Sequence, residues 1–171
     1  MTWLTGLPEA ESDWDRLAAL SPDAVGALSD VVVAAWDDTD PLLLELARLR
    51  IATLLGHRGE QARRSERARV MGLGEEKLAE LAAWPTSPQF DARERACLAL
   101  TEQFVVDANG VTDELVADVT EHLGGVGCYA FVEAVSVVET FQRACLVLGI
   151  DDAPGVDELA AGRGPAPEEV T

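Results

Sequence analysis

One helix restricts what this chain can fold into more than any other stretch. Asp40-Pro41 offers an N-cap with proline at the first helical position, and Gly56 offers a stop. The segment between them, LLLELARLRIATLL, therefore reads as a helix over 41–56. Leu42, Leu43, Leu44, Leu46, Leu49, Ile51, Leu54 and Leu55 leave it apolar on nearly all sides. Such a helix is buried, inside the domain or within an oligomer. Glu45 nonetheless lies in it, with Leu42, Leu49 and Ala52 as its nearest surface neighbours at helical spacing. A carboxylate there is costly unless it is paired or hydrogen-bonded. Two readings stay open: a core ion pair with an arginine, or a carboxylate poised for proton transfer.

The rest of the chain reads as helical too. Its only isoleucines are Ile51 and Ile150, and no run alternates with period two. N-caps recur at Ser12, Ser21-Pro22, Asp91 (with Glu94 three residues on) and Thr112. Helices are expected at about 12–20, 22–37, 41–56, 59–71, 75–83, 91–108, 112–123 and 127–148. Gly124-Gly125-x-Gly127 lacks a preceding strand and a lysine, so it reads as a hinge between helices and not as a phosphate loop. No linker divides the chain. The expectation is one all-α domain over 1–150, followed by a loosely ordered acidic tail over 151–171 rich in Pro and Gly.

Charge excludes several functions. The chain carries a formal net charge of −18, which repels phosphate backbones and anionic membrane faces. Nucleic acid and membrane are thus not expected partners. The longest apolar tract, 126–150, is interrupted by Glu133, Glu139 and Arg143, and Met1–Glu11 lacks the basic start of a signal peptide. A cytoplasmic location is expected. Eight of the thirteen Lys and Arg residues crowd into 47–77, an isolated basic segment that would focus an anion. Cys97, Cys128 and Cys145 are widely spaced and lie among apolar neighbours, as buried structural thiols do.

Four stretches carry a resemblance: ELARLRIATLLG (45–56), MGLGEEKLAELAAW (71–84), SPQFDARERACLALTEQF (87–104) and VVETFQRACLVLGI (137–150). Together they resemble the carboxymuconolactone decarboxylase / alkylhydroperoxidase D superfamily, over roughly residues 20–150. The resemblance implies a helical bundle of about eight helices that assembles as a homo-oligomer (dimer, trimer or hexamer). In the peroxidase branch it also implies a glutamate, a Cys-x-x-Cys pair and a histidine. Carried across by position, the glutamate falls on Glu45. The cysteines fall on His57 and Glu60, and the histidine on Arg64. The thiols are absent, so dithiol peroxide reduction is not expected.

A glutamate at the second cysteine position resembles the decarboxylase-like branch, which works without a dithiol. The resemblance then implies a thiol-independent acid–base enzyme acting on a small anionic molecule, a lactone or carboxylic acid. Glu45, His57 and Glu60 are its candidate catalytic residues, and Arg64 is its candidate substrate-binding residue. No cofactor is expected. No metal is expected either, because the nearby arginines oppose a cation. The alternative is a non-catalytic oligomeric scaffold or binding protein in which Arg64 neutralises Glu45 and closes the site.

Overall fold

The computed structural model describes residues 10–162. Among them the fold is all α-helical: α1 (Asp13–Leu20), α2 (Pro22–Asp37), α3 (Pro41–Leu55), α4 (Arg58–Ala62), α5 (Glu66–Val70), α6 (Glu75–Ala79), α7 (Ala92–Val106), α8 (Asp113–Leu148) and α9 (Val156–Gly162). Short 3₁₀ turns cover Leu81–Ala83 and Ala108–Gly110.

The apolar helix is the centre of the packing. Leu43, Leu44, Ala47 and Ile51 of α3 enter a large core shared with α2, α7 and α8. Leu46 and Leu49, on its other flank, enter a second core with Ala68, Leu73, Leu81, Trp84, Phe90 and Leu98. A helix with a core on each side needs apolar residues on both, which accounts for the composition of 41–56. Its start is fixed by Asp40, whose carboxylate accepts from the Leu42 amide at 2.9 Å and from Arg93 Nη2 at 2.6 Å. Its end is Gly56, whose φ of 72° is the left-handed conformation of a C-cap. The α7 start is the expected capping box, Asp91 with Glu94.

Two segments depart from the sequence expectation, and a third matches it. The helix expected over 59–71 is two short helices, because Arg63–Ser65 is extended and gives its backbone groups to side chains of α3. The hinge expected between 112–123 and 127–148 is present within α8, where Gly124 takes φ 71° and ψ 168° and breaks it into two helical arms. The expected loosely ordered tail instead returns to the body. Asp152 accepts from the Asp13 and Trp14 amides at the start of α1, and Ala153 and Val156 are buried. The remaining tail, 163–171, lies outside the described residues.

No single helix among the described residues is long and apolar enough to cross a membrane; α1 and α2 reach that length only together, across a 117° bend.

The Gly124 bend is a backbone requirement, since a Cβ there would meet nothing within 4 Å. Gly124→Ala should therefore lower the unfolding free energy by about 1–3 kcal/mol through strain alone. Urea denaturation checks this, and Gly125→Ala, which has open space and no positive φ, serves as the control.

Candidate functional site

The site is built on a residue that the sequence pattern did not single out. Arg48 follows Glu45 by three residues, one turn along α3, and is 6% exposed. Its Nε donates to Glu45 Oε2 at 2.7 Å and its Nη2 to Glu45 Oε1 at 2.8 Å, a bidentate pair. Its Nη1 donates to Glu60 Oε2 at 2.6 Å and to the Glu60 carbonyl at 2.8 Å. Nη2 also reaches the Arg63 carbonyl at 2.9 Å. One guanidinium thus joins two carboxylates and two main-chain carbonyls. Burial by itself lowers the pKa of Arg48, but the hydrogen bonds and charges of Glu45 and Glu60 outweigh it and hold it above the ordinary value. The group stays cationic.

The same contacts explain the break between α4 and α5. The Glu60 and Arg63 carbonyls, near the end of α4, accept from Arg48. The Ser65 amide, at the N-cap of α5, donates to Glu45 Oε1 at 3.0 Å. Side chains of α3 therefore satisfy backbone groups that a continuous helix would have paired internally. Arg63 Nη1 completes the network on Glu60 Oε1. Two arginines and two glutamates balance in charge, as buried ionic groups must.

The candidate residues fall into different places. Glu45 and Glu60 come together through Arg48, and both are buried, at 1% and 4% exposure. His57 is buried too, but it acts as the N-cap of α4, its Nδ1 accepting from the Glu60 amide at 3.4 Å. Nδ1 as acceptor makes Nε2 the protonated nitrogen, and Nε2 has no partner among the described residues. Arg64 does not reach Glu45. Its guanidinium donates to Glu75 Oε1 at 3.2 Å and to the Gln61 and Arg63 carbonyls. The Glu45–Arg64 pair of the closed-site alternative is thus replaced by Glu45–Arg48. The i, i+3 spacing of Glu45 and Arg48 was the available signal.

A cavity of about 40 Å³ adjoins the network, room for a few ordered water molecules. Val32 and Trp36 of α2 and Val138 and Phe141 of α8 form its apolar walls. Arg48, Glu60, Arg63, Arg64, Ser65 and Gln142 form its polar side, and Pro154–Asp157 close it. The closing segment is fastened by Asp157, which accepts from the Glu66 amide at 2.8 Å and pairs with Arg67. Gly155 lies so close to Arg63 that a Cβ there would stand 2.8 Å from Arg63 Cδ.

The cysteines take no part in this constellation. Burial pushes the Cys97 and Cys145 thiols up to about 12, so both are protonated at neutral pH. All three cysteines are free and buried.

Comparison with known proteins agrees with this architecture. The sequence profile of the Carboxymuconolactone decarboxylase family matches residues 20–103, from the start of α2 into α7. A crystal structure from Agrobacterium tumefaciens superposes with a TM-score of 0.70 at 20% identity, covering 81% of this chain and 95% of that one. It is a protein of unknown function whose suggested role is an antioxidant defence protein, AhpD. At that identity the likeness is one of fold. No curated protein matches the chain.

Arg48→Met leaves two buried carboxylates and two carbonyls without their donor. It should cost about 3–5 kcal/mol of stability at neutral pH, the range for breaking a buried pair from one side. Arg48→Lys should recover little, because one ammonium lacks the fork that reaches four acceptors. Urea denaturation of the two variants checks both statements.

Proposed function

We propose that this chain is a member of the carboxymuconolactone decarboxylase family, whose profile matches residues 20–103, and that it works without a dithiol, by acid–base chemistry on a small anionic lactone or carboxylic acid. One observation carries the reading: Glu60 is a buried carboxylate that lines the cavity, beside an arginine that lines it too. Glu60 stands at the position where the peroxidase branch has its second cysteine, so the reactive place on the fold is occupied by a proton-transfer group instead of a sulfur nucleophile.

The roles divide by what each residue touches. Glu60 is the proton donor or acceptor, since it alone of the two network glutamates borders the cavity. Arg63, with only Nη1 engaged on Glu60, offers its remaining N–H groups to an anion, and Arg64 flanks it. Glu45 acts as a positioning residue. Both its oxygens are taken, by Arg48 and by the Ser65 amide, and they hold the Arg63–Ser65 segment in place. His57 holds the first turn of α4 and so orients Glu60. Valine, tryptophan and phenylalanine walls limit water at the site, which strengthens every charge interaction within it.

A second reading has its own support. Each oxygen of Glu45 and of Glu60 has a donor, and such a network serves a non-catalytic binding protein equally well.

The experiment is a turnover screen of small lactones and carboxylic acids followed by NMR for isomerisation or loss of CO₂. For any substrate found, Glu60→Gln should lower kcat by about 10²–10⁴, the usual contribution of a positioned acid or base, while the helical circular dichroism spectrum is retained. An undiminished rate in Glu60→Gln would rule out the acid–base role, and an inert screen would leave the binding-protein reading in possession.

A further inference from the structure

Beyond Gly124, α8 carries apolar residues on two opposite sides. Its inner side, with Phe131, Val138 and Phe141, is buried in the larger core. Its outer side faces solvent, although Val126, Tyr129 and Val147 on it are 86%, 69% and 78% exposed. These three belong to one stripe: Val126, Tyr129, Glu133, Ser136, Thr140, Arg143 and Val147. Its steps alternate between three and four residues, the spacing of a coiled-coil seam. Ser136 is half-buried and the other six are exposed. Half-buried Val132, Val137 and Leu146 flank the stripe and widen its apolar surface. From Val126 to Val147 the seam runs about 31 Å at the helical rise. An exposed apolar strip of that length, on a chain this rich in charge, marks an interaction surface.

The charges on the stripe identify what covers it. Glu133 has no ion-pair partner among the described residues. Arg143, ten residues further on, donates from Nε and Nη2 to Glu139 and from Nη2 to the Val105 carbonyl, which leaves its Nη1 free. Two copies of this helix laid antiparallel, with the axis level with Val138, bring Glu133 of each opposite Arg143 of the other. The same register sets Tyr129 on Val147 and Ser136 on Thr140, both twice. An isologous contact must be self-complementary in this way. A parallel pair would instead set Glu133 on Glu133 and Arg143 on Arg143, and like charges in register are repelled. A chain of net charge −18 repels its own copies elsewhere, so the one place where signs alternate also fixes the register.

We propose that the outer face of α8 is the interface of a homodimer, two copies pairing antiparallel about a two-fold axis through Glu133–Arg143 ion pairs and Tyr129–Val147 contacts. The inner side of the same arm carries Val138, Phe141 and Gln142 of the cavity wall, so the pairing braces that wall from behind. The inference is independent of the acid–base reading, because it concerns assembly alone.

The test is sedimentation equilibrium of the intact chain and its charge-reversal variants at micromolar concentration. The unaltered chain should sediment at twice its 18.3 kDa, or at a higher even multiple if other faces also pair. Glu133→Arg and Arg143→Glu, each alone, place like charges opposite one another and should weaken the pairing about tenfold or more. Mixed in equal amounts, the two variants restore both opposite-charge contacts and should regain the assembly as a heterodimer. Both positions are exposed, so each variant should keep the helical circular dichroism spectrum, which separates lost pairing from lost folding. A monomer, an odd-numbered assembly, an assembly indifferent to both reversals, or a mixture no tighter than its separate components would overturn the proposal.

Discussion

Arg48 is a buried cation in the middle of a helix that is apolar on nearly all sides, and its neighbours are arranged around the cost of keeping it there. An isolated buried guanidinium would be strongly destabilising. Here it is charge-balanced by Glu45 along its own helix and by Glu60 from α4, and its further N–H groups are taken by the Glu60 and Arg63 carbonyls. The backbone from 60 to 65 cannot continue as a helix while it serves those bonds. The interruption between α4 and α5 is therefore a consequence of the network, and it sets Arg63, Arg64 and Ser65 along one side of the cavity.

The fold divides the labour between its two cores. The larger one, with Trp36, Phe131 and Phe141, supplies the apolar wall of the cavity, and the smaller one anchors the opposite flank of α3. Between them α3 is held rigidly enough to present two charged side chains at fixed positions. The last described segment completes the enclosure. Asp152 on the α1 amides and Asp157 on the Glu66 amide fasten Pro154–Asp157 across the cavity at both ends. That segment lies beyond the 20–103 match to the family profile, so the wall that would discriminate among ligands lies outside the matched region.

Much of this was legible in the sequence, for physical reasons that can be named. Helix 41–55 was readable because a two-sided core demands an all-round apolar pattern, and the α8 bend because three closely spaced glycines interrupt it. Glu45 and Glu60 were readable as members of one site from the register of the resemblance. The break at 63–65 was not, since ARRSE is compatible with a helix and only distant side chains from α3 draw its backbone away. Arg64 lines the cavity, but its guanidinium is engaged by Glu75 and not by Glu45, a geometry that position in the sequence does not give. The return of 151–162 was hidden in a Pro- and Gly-rich composition that suggests a loose tail, whereas its order comes from single aspartates capping helices far away in sequence.

The central claim is that Arg48 and Glu60 are energetically coupled across the junction of α3 and α4. A double-mutant cycle tests it directly, using Arg48→Met, Glu60→Gln and the double variant, each unfolded in urea at neutral pH. The account predicts a coupling on the order of 2 kcal/mol or more, with the double variant more stable than the sum of the single losses implies. Losses that simply add, to within about 0.5 kcal/mol, would contradict it.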